Sequence, residues 1–321
     1  MKKIKKLLCN ILSIKDERLH KVLCFLGIKI KFKRRVSLVL FEEYLNKFVD
    51  IRLAPKATGH LRKMQLLELY LMKELKKICD EIGVKFWLRG GSALGAYRHK
   101  GFIPWDDDVD LGMMREDFDK LVEHVNNNSQ KFEITYFYHH TCKIAKFAFK
   151  NIRGGVYVDL FPFDWCSYDN PDEFWTEWQK NKAELRQKLL TQRKFFKDRC
   201  YQKDMDPKVL NIIEKYNDEY KNKYINSHSK DAICSAIEHI GARRKKRIFP
   251  YDMIFPLKPI EFEDEQFFIM NDIEGYLKQY YGAYYMNFPM LKDLANHEYM
   301  FTEKNAEETE ELYNKFIEGN L

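Results

Sequence analysis

Apolar residues recur at intervals of three and four across residues 61–82. Met64, Leu67, Leu71, Leu75, Ile78 and Ile82 form one stripe on a helix of 3.6 residues per turn. Gly83 follows, a residue that readily takes the left-handed conformation closing a helix. The period then shortens. Residues 84–88 and 109–112 are apolar and extended, separated by a turn at 90–92, a short helix over 92–97 and a loop over 98–105. Helical spacing returns over 116–125, with Phe118, Leu121, Val122 and Val125 inward, and stops at the polar run 126–129. Residues 132–138, 143–150 and 156–161 read as strands, with Gly154 and Gly155 turning the chain before the last. Residues 171–230 read as a helical insertion with Trp175, Trp178, Leu185, Leu189 and Leu190 inward. A hairpin over 260–269, a helix over 271–280 and an acidic tail helix over 305–321 complete the pattern. This mixture predicts an α+β fold: a mixed sheet flanked by helices, with additional helical segments.

Composition narrows the class. A chain of 321 residues with 45% hydrophobic residues can bury a full core, which excludes a disordered composition. The seven cysteines are scattered, odd in number and without Cys-x-x-Cys spacing, so neither a zinc site nor a disulfide framework is expected. That usage fits a reducing, cytoplasmic setting. No apolar run is long enough to span a bilayer, and no signal peptide is evident. The net charge of +7 is unevenly placed. Residues 1–35 hold twelve Lys or Arg against Asp16 and Glu17 (12 − 2 = +10), leaving 7 − 10 = −3 for the remainder. The basicity thus belongs to an N-terminal arm (residues 1–55), not to the body (56–304), and no nucleic-acid partner is expected. Within the arm, residues 1–14 predict a short basic amphipathic helix and 22–32 a hairpin turning at Gly27. It is either a solubilising leader or an anchor on an anionic membrane surface. The basic run 243–247 reads as a solvated turn.

The chemistry concentrates between Leu88 and Met114. Gly90, Gly91 and Ser92 follow a strand, where backbone N–H groups and a helix N-terminus can cradle phosphate. Asp106, Asp107, Asp108 and Asp110 close the stretch. Two residues apart on a strand, Asp108 and Asp110 share a face, and adjacent carboxylates at that spacing suit Mg²⁺ or Mn²⁺. Alone, Gly-Gly-Ser is a common turn and an Asp-rich loop is common surface; their order and separation bring a cradle and a metal site together. Asp159 ends an otherwise apolar strand, either as a salt-bridged strand end or as a third metal ligand. Arg98 and Lys100 are candidate phosphate clamps, Arg98 the better for its bidentate fork. Asp106 is a candidate for supporting the ligands or acting as the base. His99 and His297 fit structural roles more often than catalytic ones.

The string Gly90-Gly-Ser-Ala-Leu-Gly-Ala-Tyr-Arg-His-Lys-Gly-Phe-Ile-Pro-Trp-Asp-Asp-Asp-Val-Asp110 resembles the LicD phosphocholine-transferase family, whose relatives include fukutin-type phosphoribitol transferases. Val158-Asp-Leu-Phe-Pro-Phe-Asp164 resembles that family's second block, which carries Asp159, and less firmly Asp164, into the site. Residues 281–289 resemble its closing block, with His297 where a His is expected and Met270 where a Pro would stand. The resemblance runs from about residue 61 to 297. It implies a nucleotidyltransferase-like sheet with the site at its edge. It also implies a CDP-activated donor, CDP-choline or another CDP-alcohol, and attack by a hydroxyl of a glycan acceptor with release of CMP. On that reading Asp108, Asp110 and Asp159 hold the metal. Phosphoribitol or phosphoglycerol transfer by the same mechanism, an NTP-dependent nucleotidyltransferase and a UDP-sugar glycosyltransferase are the alternatives.

Overall fold

The computed structural model describes residues 12–17, 20–25, 28–33, 36–139, 141–152, 155–166, 171–191, 196–197, 200–201, 207–224, 231–239, 246–289 and 303–321. The expectations for residues 1–11, Gly27, Gly154, 243–245 and His297 lie outside the described residues. The chain forms two compact units, one of residues 1–54 with 286–294 and one of 55–285 with 295–321.

The first unit holds a three-stranded antiparallel sheet of β1 (Leu12–Glu17), β2 (His20–Phe25) and β3 (Ile28–Lys33). The β2–β3 pairing puts Phe25 opposite Ile28, which is the hairpin expected over 22–32. Residues 12–14 belong to β1, so the helix expected over 1–14 does not extend through them. A helix, Val36–Phe48, and a 3-10 turn, Ile51–Leu53, follow.

The second unit is built on the predicted long helix, Gly59–Ile82, whose Leu67, Leu71, Met72 and Leu75 are fully buried. Gly83 closes it at φ +70°. The mixed sheet comprises β4 (Phe86–Leu88), β5 (Asp110–Met114), β6 (Phe132–His139), β7 (Cys142–Phe149), β8 (Val158–Cys166), β9 (Phe196–Lys197), β10 (Cys200–Tyr201), β11 (Ala232–Ser235) and β12 (Ile248–Pro250). Its main path runs β12-β11-β8-β7-β6-β10-β9, with β4 paired to β5 and β5 to β8. β8 is the hub. It pairs parallel with β5, antiparallel with β7 through residues 158–160 and antiparallel with β11 through 163–166. Nearly all of it is buried, as expected of a strand enclosed on both faces.

Two elements differ from the sequence pattern. The segment 171–230 is not helical throughout. Helices Pro171–Leu190 and Pro207–Tyr224 flank β9 and β10, and Cys200 pairs with His139 on β6. Those short strands satisfy backbone groups on the open edge of β6, a demand that side-chain periodicity does not register. The short helix begins at Gly90, ahead of the expected 92, and runs Gly90–His99. The acidic helix Glu303–Ile317 lies on Gly59–Ile82, with Lys63 paired to Glu310 and Leu312 buried.

Candidate active site

The site sits where β5 and β8 meet the helix Gly90–His99. Register decides it. Asp110 on β5 lies opposite Asp159 on β8, and Asp159 lies opposite Lys146 on β7. Directly opposed residues on neighbouring strands project to one face, so the three side chains stand abreast. Asp108 precedes the strand rather than lying in it, because ladder pairing begins at Asp110. It still joins them. Asp108, Asp110 and Asp159 offer ligand oxygens within 4.8 Å of one another, and so do Asp106, Asp107 and Asp108. Asp108 is common to both groups. Hard carboxylate oxygens gathered this closely fit a divalent ion such as Mg²⁺ or Mn²⁺.

The glycines serve this arrangement by close approach. Gly90 has φ +53°, and a Cβ there would collide with the Asp110 carboxylate. A Cβ on Gly91 would stand 2.5 Å from Asp106 Oδ2. The N-terminus of the helix thus rests against two acids of the cluster, where its dipole favours negative charge. The Gly90 N–H donates to the Tyr276 hydroxyl at 3.3 Å. Ser92 Oγ accepts from the Asp110 N–H at 2.8 Å, and the Arg89 N–H donates to the Asp110 carbonyl at 3.1 Å, which pins Asp110 from both sides.

Electrostatics mark the cluster as crowded with negative charge. Burial, then Asp106, Asp110, Asp159 and Asp107, push the Asp108 carboxyl well above the carboxylate range. Glu68 is raised in the same sense by burial and then by Asp108, Asp107, Asp106 and Asp159. It is fully buried on the Gly59–Ile82 helix, and neither carboxyl oxygen has a hydrogen-bond partner among the described residues. One turn earlier on that helix, Gln65 Nε2 donates to the carbonyls of Asp106 at 2.9 Å and Ile103 at 3.3 Å, tying the acidic loop to the helix. Lys146 Nζ donates to Asp159 Oδ1 at 2.7 Å and lies 3.1 Å from the centre of the Tyr157 ring.

Asp107, Gln65, Glu68 and Lys146 were absent from the sequence-derived site. Gln65 and Glu68 had a signal, two polar residues set among Met64, Leu67 and Leu71. Lys146 had none, because it enters through strand register.

The other expected residues lie as follows. Arg98 is buried, with Nη1 donating to the Tyr285 carbonyl and Nε to His99 Nε2, each at 2.9 Å. Burial lowers its pKa to about 10, and burial with the Arg98 charge lowers His99 to about 4. Lys100 has its side chain 76% exposed and lies 3.3 Å from Glu261. None of these contacts involves the Asp110–Asp159 row, and Arg98 also feels the charge of Asp106. Asp164, five residues beyond Asp159, points to the opposite face of β8. It accepts a bidentate pair from Arg115 at 2.8 and 2.9 Å, an ion pair of the core.

A pH effect follows from the raised carboxyls. Folded Glu68 and Asp108 hold protons at a pH where the unfolded chain has released them. The contribution of these two groups to stability without metal is then full below the ordinary carboxylate range, about pH 4, and is lost as pH rises above it. Thermal melts in EDTA should show the melting temperature declining from about pH 5 to 8, and Glu68→Gln should flatten the slope. An equal slope in the variant would remove Glu68 from the account.

Residues 83–197 match a family model described as LicD/FKTN/FKRP, nucleotidyltransferase domain. The chain is 26% identical to the lipopolysaccharide cholinephosphotransferase LicD of Haemophilus influenzae over 257 residues, which is 74% of this chain and 95% of that protein. It is 58% identical to the human ribitol 5-phosphate transferase FKRP over 40 residues, 12% of this chain and 8% of that protein. It is 37% identical to the mouse ribitol-5-phosphate transferase FKTN over 75 residues, 23% and 15% of the two chains.

Proposed function

We propose, from the match of residues 83–197 to the LicD/FKTN/FKRP model, that this chain is a LicD-family transferase that moves a phospho-alcohol, phosphocholine first, from a CDP-activated donor to a hydroxyl of a cell-surface glycan, with release of CMP. The acceptor class is lipopolysaccharide, teichoic acid or capsule, free or lipid-linked. The observation that carries the chemistry is Asp108 shared between two carboxylate groups beside the N-terminus of the Gly90–His99 helix.

Asp108, Asp110 and Asp159 would hold Mg²⁺ or Mn²⁺, which supplies charge neutralisation at the donor phosphates. Ser92 and Arg89 hold Asp110 in place, and Gln65 holds the loop bearing Asp106. Asp106 is the base on this reading. Its carboxylate lies against Gly91, at the entrance of the helix, and can take the acceptor's hydroxyl proton. Lys146 is a cation in direct contact with one of the three metal ligands, Asp159. With Asp159 turned to a metal, the Lys146 Nζ would donate to a donor phosphate oxygen. The basic arm would hold the enzyme peripherally on the inner face of a membrane, near a lipid-linked acceptor.

A thermal-shift panel with Mg²⁺ tests the donor without needing the acceptor. CDP-choline, CDP-ribitol, CDP-glycerol, a UDP-sugar and the four NTPs are compared. Stabilisation by one CDP-alcohol, lost in Asp110→Asn, is the expected result. Stabilisation by NTPs or the UDP-sugar alone would overturn the donor and favour a nucleotidyltransferase or a glycosyltransferase.

A further inference from the structure

The helix Val36–Phe48 presents its large side chains to solvent. Leu40, Phe41, Tyr44 and Phe48 are 52%, 51%, 55% and 64% exposed, and Val49 and Leu53 extend the patch at 41% and 80%. Leu40, Tyr44 and Phe48 follow one another at i, i+4 and i+8, so they form one stripe along the helix. The Tyr44 and Phe48 rings lie 5.1 Å apart, and Lys47 Nζ lies 5.3 Å from the Phe48 ring. Val39 and Ile51, at 5% and 4% exposed, mark the inner side. Single exposed apolar residues are ordinary; six between Leu40 and Leu53, three of them aromatic, in a segment that also carries Glu42, Glu43 and Lys47, are not.

Charge selects the cover. The 35 residues running into this helix carry twelve Lys or Arg against two acids, a net of 12 − 2 = +10. Two copies joined through this face would bring two such segments to one interface, and like charges oppose that. An anionic lipid surface instead attracts the basic residues that precede the helix in sequence and receives its apolar stripe, with Tyr44 suited to the headgroup boundary. We propose that Val36–Phe48, continued by Val49 and Leu53, docks in the interfacial region of an anionic bilayer, lying in its plane with Leu40, Phe41 and Phe48 among the lipid chains and the Tyr44 hydroxyl at the headgroup level. This rests on the membrane reading of the basic arm and adds an apolar component that charge alone does not supply. At 13 residues Val36–Phe48 is too short to cross a bilayer, which fits a helix lying on the surface.

The test is co-sedimentation of the full chain with vesicles of phosphatidylcholine containing about 30 mol % phosphatidylglycerol, at low salt and at about 0.5 M NaCl. Screening weakens the arm and spares apolar insertion. The wild-type chain should stay partly bound at high salt. Phe41→Ser/Phe48→Ser should lose that salt-resistant fraction and bind about tenfold or more weakly at low salt. Both substitutions lie at exposed positions, and an unchanged melting temperature confirms the fold. Wild-type binding that salt abolishes completely would overturn the docked helix and leave the arm reading standing. No binding at low salt would overturn both. A wild-type dimer in sedimentation velocity that becomes monomeric in the double variant, with vesicle binding unchanged, would assign the stripe to a second copy and overturn the lipid proposal.

Discussion

Asp108→Asn is expected to lower turnover by about 10³-fold or more, roughly 4 kcal/mol of transition-state stabilisation, while raising the melting temperature of the metal-free protein. Both effects have one cause. Asp108 belongs to both carboxylate groups of the site, so removing its charge weakens the hold on any divalent ion there. In the absence of that ion the same charge is unfavourable, because burial and four neighbouring aspartates oppose it. Asparagine keeps the size and removes the charge. Melts in EDTA and in Mg²⁺ separate the two halves. Wild type should gain stability on adding Mg²⁺, and the variant should start higher and gain little. Full turnover in a variant with an unchanged circular dichroism spectrum would remove the metal site from the mechanism.

Lys146→Gln should act with the opposite sign on stability and should split two affinities. Lys146 is the partner that Asp159 has at 2.7 Å, and Asp159 is buried. Without it the metal-free protein should melt lower, because a buried carboxylate loses its counter-charge. Mn²⁺ should bind about tenfold more tightly, since a competing cation beside Asp159 has gone. CDP in saturating Mn²⁺ should bind about tenfold more weakly, through loss of a charge-assisted hydrogen bond to phosphate. Titration calorimetry reads both. A lysine that is only a structural partner would leave CDP affinity unchanged, and that outcome would withdraw Lys146 from the phosphate site.

Much of the site was legible because its determinants are local. Asp108 and Asp110 are two residues apart, and the glycines that admit Asp110 and Asp106 are adjacent in sequence. Asp159 was legible as an acid out of place at the end of an apolar run. Lys146 was not. It is one of several lysines on a hairpin, and which of them meets Asp159 depends on how β7 pairs with β8. Shifting that pairing by one residue would turn Lys146 to the other face. Glu68 was half legible. Its polarity within an apolar stripe was visible, but its approach to the acidic loop depends on how the Gly59–Ile82 helix packs. Arg98 shows the converse. Its position in the glycine-rich string suggested a clamp, and packing adds contacts of Nη1 with the Tyr285 carbonyl and of Nε with His99 that the string does not register.

The sequence alone determined the long helix, the strands β6 and β7, the apolar β8 and the resemblance to the LicD family. Periodicity and motif spacing are properties of contiguous residues, and contiguous residues carry them wherever the chain goes. Tertiary structure decided which strands are neighbours, and with that the row Asp110–Asp159–Lys146. It also decided that β9 and β10 complete an edge within a segment of helical pattern, and that the stripe of Val36–Phe48 faces outward. Each of these depends on what lies across a gap in sequence. That is settled by hydrogen-bond pairing and burial between distant segments, neither of which any single stretch of the chain contains.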